Sequence, residues 1–541
     1  MNKHRILRTI ILLILLPVIL MQGCTLPTPQ QQDPSEPDEP PATEDPPPSL
    51  PPEPAPPEPG QFTLRYDPTS TLNPITALNR DNILISSLLY ESLFVLDGAL
   101  EPHPVLCESW STEDYTDFTF TIKTGIAMSD GSLLTAEDVV YTLRQAMLRG
   151  RYVNRLAPVA EISAEDDLTV TIGLYSPNYR FTCLLDIPII KNGSIESLIP
   201  PGTGAYIFDE TEGMLLNRFP EHRNFSSLPV TVIYLMTCAD NDLTAEFDEG
   251  NLSLLWDDPA DAFDIRLNRL HEKRPYETTV LQFLGFNTNH IALRDPDVRR
   301  AISASIDRQH IIDHILPLPG QAVAANVALS PSFHLYDPEW ERRDLHPLEE
   351  MAILLTRAQL EDYDSDSFLE ISDGYGSYYK FTIDFIVNSE NIHKVRAANK
   401  ITETLRQNGL DVTVRELTWD RFNSALASGD FDMYYGETQL GADFDLSPLL
   451  LPGKLNYGKT AGVAEFGPLI ENFLSARTDE HIRWYAWQLC EQIKIYAPFA
   501  PILYKRHFVY YPIGAISGVS PGQSNVFRNF TDWTINLTML T

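Results

Sequence analysis

The chain is short of cysteine, of positive charge and of long apolar runs, and each shortage narrows what it can be. Five cysteines are scattered over 541 residues with no C-x-x-C pair, so no zinc or dithiol redox motif is present. Lys and Arg number 40 against 74 Asp and Glu, a formal net charge of −34, which argues against nucleic acid and against direct binding to anionic lipid. The main apolar run, residues 10–21, spans roughly 18 Å as a helix, short of the ~30 Å hydrocarbon core of a bilayer. Complete catalytic motifs are lacking too. "GKLNYGKT", residues 453–460, has the letters of a phosphate-binding loop, but Pro452 stands where a strand should end and Ala461-Gly462 where a helix should begin. "GVSPG", residues 518–522, has the letters of a nucleophile elbow, yet no histidine follows it. "HIIDH" sets His310 and His314 four apart on one helix face, without the glutamate or third ligand of a zinc site. No catalytic residue, metal ligand set or cofactor is expected.

What is present begins with Lys3, Arg5 and Arg8 ahead of the apolar run, the pattern of a cleaved signal peptide over residues 1–23. Its end, Leu20-Met21-Gln22-Gly23-Cys24, resembles a bacterial lipobox, which implies acylation of Cys24 and anchoring by two or three acyl chains. Removing the leader takes away three positive charges, carrying the net from −34 to about −37. Residues 25–60 follow with fifteen prolines and no Lys or Arg. Such a stretch cannot bury enough surface to order itself, and reads as a polyproline II spacer of up to roughly 110 Å. Past Cys24 stand Cys107, Cys183, Cys238 and Cys490, read as buried thiols with a single disulfide left open.

The remainder is long enough for two or three packed lobes. "FTFTIK" alternates Phe118, Phe120 and Ile122 on one face. "TAEDVVYTLRQAM" opens with Thr135 and Asp138 in capping-box spacing and carries Val139, Val140, Leu143 and Met147 on one helical side. "DDLTVTIGL" is a further strand, and the irregular order suggests an α+β lobe with a mixed sheet. The second half is more regular: a strand through Phe381, Ile383, Phe385 and Val387, then a helix ending near Asn408-Gly409. The strand "DVTVREL" comes next, then a helix from Thr418 or Asp420 to Gly429, and the strand "FDMYYG". This β-α-β-α-β series requires right-handed crossovers and parallel pairing, and ligands sit beyond the carboxyl ends of such strands. The loop at residues 437–445 is therefore where a binding site is expected.

Several blocks together resemble the extracytoplasmic solute-binding proteins of family 5, the peptide/nickel type that serve ABC importers. "TLNPITALNRDNILISSLLYESLFVLDG" resembles the family's opening, and residues 101–143 its longest signature, with Trp110, Phe120, Asp130-Gly131 and Ala136-Glu137-Asp138-Val139 in place. Cys107 and Met128-Ser129 depart from it. "PPGTGAY" resembles the turn returning to the first lobe, and "LGFNTNHIALRDPDVRRAISASIDRQHII" the start of the second. The resemblance implies an α/β fold of the type II periplasmic-binding-protein kind, with mixed sheets and crossing segments. The first lobe would occupy residues 61–283, with an extra subdomain at 105–199. The second lobe would follow at 284–504, and residues 505–541 would return to the first.

The resemblance further implies a monomer on the outer face of the cell membrane that closes on a small ligand, most simply a short peptide. It would then be recognised by a permease and its ATPase. A nickel or other chelated metal, an oligosaccharide, and a sensor role without transport stay open. In the family an acid of an Ala-Asp-aromatic loop receives the peptide ammonium, which maps onto Asp443 of Ala442-Asp443-Phe444, with Asp445 and Glu437 as substitutes. Tyr434, Tyr435, Gln439 and Tyr457 are candidates for the pocket walls, and Trp256, Tyr90 and Asn73 for the first-lobe side.

Overall fold

Two strands organise the molecule. His271–Phe286 and Phe499–Pro512 run antiparallel and reach roughly 50 Å each. The computed structural model describes residues 60–211, 213–260, 265–452 and 464–540. The leader, Cys24, the proline-rich segment through residue 59, the phosphate-loop match and Tyr457 lie outside the described residues. The ladder between the two long strands runs from His271 opposite Pro512 to Glu277 opposite Arg506. It lapses over residues 278–280 and resumes with Leu281 opposite Tyr504. Such a lapse is a bulge, which bends and twists the ribbon locally.

On one side of the lapse, Tyr276, Val509 and Tyr511 enter an apolar core shared with Phe62, Leu64 and Phe94. On the other side, period-two alternation sends Phe283 into a second core and Leu284 and Phe286 into a third, on opposite faces of the sheet. The boundaries expected at 283/284 and 504/505 fall inside these two strands. The chain after Pro512 stays with the first core through Val526, Phe527, Phe530 and Trp533.

The large sheet has the order Leu255–Asp257, Phe499–Pro512, His271–Phe286, Met433–Gln439, Ile383–Asn388, Val412–Leu417, with Ala322–Ala324 on the second long strand. Its last three strands and the helices Ile392–Gln407 and Trp419–Ser428 are the β-α-β-α-β unit read from the sequence, paired in parallel. One boundary moves. Met433–Gln439 pairs residue for residue with the first long strand, so Glu437 to Gln439 continue the strand and the loop begins at Leu440.

The first core carries a mixed sheet, Thr63–Arg65, Val232–Met236, Leu215–Arg218 and Tyr206–Asp209, with parallel pairing only between the first two. That is the mixed sheet expected of this lobe; its other sheet, Cys107–Thr112, Asp117–Ile122, Thr169–Leu174, Val159–Ala164, is antiparallel throughout, because short turns rather than crossovers join most of its strands. The helix Ala136–Leu148 covers it and starts with the expected capping box of Thr135 and Asp138. The Gly-Thr-Gly turn has a steric cause: a Cβ on Gly204 would stand 2.2 Å from the backbone carbon of Leu89.

All four internal cysteines are unpaired thiols. Burial pushes Cys107 up to about 11 and Cys183 up to about 12, which makes them unreactive at neutral pH.

Candidate functional site

A cavity of about 270 Å³ opens where the first core meets the lapse in the long strands. Its first wall is one face of the helix Arg80–Leu89, with Arg80, Ile83, Leu84 and Ser87 at helical spacing. The facing wall is one side of the first long strand, Tyr276, Thr278 and Val280 at period two, with Gln439 and His507 beside them. Trp256, the segment from Arg151 to Arg155, and Gln523 to Val526 close the ends. A wider hollow of about 700 Å³ lies over the second core, but its arginines are already paired, Arg343 with Glu350 at 2.9 Å and Arg357 with Asp297 at 2.6 Å.

Aromatic rings line the smaller cavity. The Trp256 indole donates to the Tyr276 hydroxyl, and His507 meets both rings edge-on at 5.2 and 5.7 Å. Behind them Lys505 is buried between Asp258 and Glu437, the latter at 3.4 Å. Burial opposes the charge on Asp258, but His507 and Lys505 outweigh it and hold the carboxyl well below the usual range. This polar network fixes the floor and satisfies its own charges.

A family model described as bacterial extracellular solute-binding proteins, family 5 Middle, matches residues 101–455. The chain belongs to that family. This family 5 protein is 24% identical over 496 residues to the probable deoxycholate-binding periplasmic protein YgiS of Escherichia coli K12, spanning 82% of this chain and 88% of YgiS. Among solved structures, the oligopeptide-binding protein AppA of Bacillus subtilis in complex with a nonapeptide superposes with a TM-score of 0.64 at 20% identity. The alignment covers 88% of this chain and 100% of AppA. NikA of Brucella suis in complex with Fe(III)-EDTA gives 0.69 at 18% identity over the same shares. These superpositions establish the periplasmic-binding-protein fold. The family 5 protein is a binding protein, not an enzyme. No helix among the described residues is long and apolar enough to cross a membrane.

Of the residues singled out in its sequence, the family 5 chain brings Trp256 and Gln439 to the cavity wall. Others hold the scaffold. The Tyr90 hydroxyl donates to the Pro200 carbonyl at 3.0 Å, and Asn73 ties down the Ile195 carbonyl at 2.8 Å. Tyr434 packs between Phe283 and Phe431, and Tyr435 donates to Gln282 at 2.9 Å beneath the sheet. Glu437 accepts from Gln282 at 2.8 Å and pairs with Lys394 at 3.1 Å, which leaves it committed to the floor network. Asp445 accepts from the Ser447 amide at 2.8 Å at the start of a short helical turn. His310 and His314 lie with ring centres 4.8 Å apart. The single acidic triad found among the described residues, Asp362, Asp364 and Glu370, already holds the Lys380 ammonium.

Asp443 is outside the cavity lining and only 2% exposed. Its carboxylate accepts from Asn178 at 2.8 Å, and the neighbouring Arg180 donates to the Ala442 carbonyl at 3.1 Å. The loop's left-handed residue, Phe444 at φ 56°, is held by burial of its ring against Phe333. The family 5 loop is thus clasped by residues 178–180 of the first half, and its acid already has a partner.

Burial first, and Asp445 second, push the Asp443 carboxyl up to about 6, against the hydrogen bond from Asn178. A carboxyl raised above its unfolded value of ~3.9 binds its proton more tightly in the folded state, so stability falls as pH rises from about 4 to about 6. Asp443→Asn is expected to remove that slope, at most about 1.4 kcal/mol per pH unit, in urea unfolding across this range. An unchanged slope would show that Asp443 does not titrate there.

The lining residues that the sequence did not reveal include Arg80, Arg151, Tyr152, Arg155, Tyr276 and Gln523. One signal was available: Arg149, Arg151 and Arg155 crowd into seven residues of an acid-rich chain.

Proposed function

We propose that this protein captures a small solute, a short peptide in the simplest case, and delivers it to an ABC importer at the outer face of the cell membrane. The reading is carried by one observation: a cavity walled mainly by the first core reaches Gln439 of the parallel-strand unit at the point where the long strands lose their pairing. A ligand that bridges the first-core wall and Gln439 stabilises the closed form, and closure is the state a permease can recognise. The names of YgiS and AppA, binders of a bile acid and of oligopeptides, support an organic solute. NikA, crystallised with a metal chelate, keeps chelated metal as the alternative, although the two histidines at 310 and 314 are not in the cavity lining.

Acylated Cys24 would hold the protein, with the proline-rich segment as its stalk. Mass spectrometry of protein purified from its own membrane tests both parts. A peptide-sized adduct in the native spectrum and a diacylglyceryl mass on Cys24 are expected. A protein that carries and binds no solute would overturn capture, and an unmodified Cys24 would overturn the anchor.

A further inference from the structure

The chain as a whole is strongly acidic, yet the cavity is lined by three arginines against one carboxylate. That carboxylate, Asp186, is 4% exposed and ion-paired with Arg155. Neither Arg80 nor Arg151 has an acid within ion-pair distance among the described residues; Asp81, whose carboxyl feels the charge of Arg80, is ion-paired with Arg65 at 3.3 Å. Arg80 and Arg151 are each held by a ring instead. The Arg80 guanidinium lies 4.2 Å from the Trp256 ring centre and that of Arg151 4.8 Å from Tyr152. Stacking fixes the plane of a guanidinium without consuming most of its in-plane N–H donors, which are then free for the two oxygens of a carboxylate. Arg151 gives one donor to the Tyr152 hydroxyl at 2.5 Å and keeps the rest. Arg80 stands in the first turn of its helix, where the dipole disfavours a cation. A residue set against its local preference beside a cavity points to a ligand of opposite charge.

We propose that the cavity selects its solute by a carboxylate, received by Arg80 and Arg151, with the apolar body of the solute against Trp256, Tyr152 and Tyr276. No unpaired acid lines the cavity among the described residues, so an ammonium group on the solute has no counter-ion there. The ligand class is small organic acids with a flat or apolar body. A short peptide belongs to it through its C-terminus. About 270 Å³ suits a ligand of one to a few residues and not an extended nonapeptide. This inference rests on the solute-capture reading and sharpens it.

The test compares five probes by calorimetry on the purified protein. They are N-acetyl-alanylphenylalanine, alanylphenylalanine, alanylphenylalanine amide, 3-indolepropanoate and its amide. The three acids are expected to bind, and the two amides at least about tenfold more weakly. Arg80→Gln and Arg151→Gln should each cost the acids about tenfold and leave the amides unchanged. Both side chains are exposed, so the unliganded melting temperature should hold. Amides that bind as tightly as the acids, or acids indifferent to both variants, would overturn carboxylate selection and leave solute capture standing. If none of the five binds, the native adduct decides. An organic acid upholds the proposal, a neutral or cationic compound overturns it, and no adduct overturns both readings.

Discussion

Gly150→Ala is expected to lose about 3 kcal/mol of folding stability and most of the solute affinity. Two effects add at this position. Gly150 has φ 74°, a left-handed backbone that costs an alanine about 1 kcal/mol. The new Cβ would also stand 2.0 Å from the Ile75 carbonyl oxygen, which is main chain and cannot rotate away. Relief requires moving the segment that follows, and that segment carries Arg151, Tyr152 and Arg155 to the cavity. Urea unfolding read by tryptophan fluorescence gives the stability, and calorimetry with an acid probe gives the affinity. A loss below about 1 kcal/mol with affinity intact would mean that the approach to Ile75 relaxes freely and that the arginine segment is not fixed by it.

The second large effect is expected at Arg180. Its side chain is 3% exposed and donates to the Leu100 carbonyl at 2.8 Å, the Ala442 carbonyl at 3.1 Å and Glu101 at 2.7 Å. Beside it, the Tyr179 amide donates to the Leu474 carbonyl at 2.8 Å. Arg180→Met keeps the apolar stem but leaves two carbonyls without this donor, and about 3 kcal/mol should be lost. Arg180→Lys should recover only part of it, since one ammonium cannot reproduce a planar fork. Melting and urea curves of the three proteins decide the matter. Equal stability of the Met variant would show that the clasp between residues 178–180 and the 440–445 loop is energetically idle.

What could be read from the sequence was whatever is local. The strand at Ile383–Asn388, the helix at Trp419–Ser428 and the capping box at Thr135 follow from period two, period 3.6 and terminal residues within a dozen positions of one another. The long strands did not show themselves. "HEKRPYETTVLQFLGF" is charged in its first half and apolar in its second, because the strand leaves one environment and enters another, and the bulge breaks its alternation. The family resemblance brought Asp443 forward, and topology pointed to the same loop. Extension of the preceding strand to Gln439 instead brings that residue to the cavity, while Asp443 bonds to Asn178. Arg80 and Arg151 lie far apart in the chain and meet at one cavity only through the tertiary fold, so no motif spacing could have joined them.

The return of the chain to its first core has a consequence for how the protein is made. Phe62 meets Phe530 at 6.2 Å, so the core beside the earliest described strand is completed by residues far along the chain. The first core therefore cannot be completed until the segment around Phe530 has been made, whereas the strands and helices of the β-α-β-α-β unit are all to hand sooner. Birth order and maturation order therefore differ: the first core waits, incomplete, for residues beyond Pro512 to arrive.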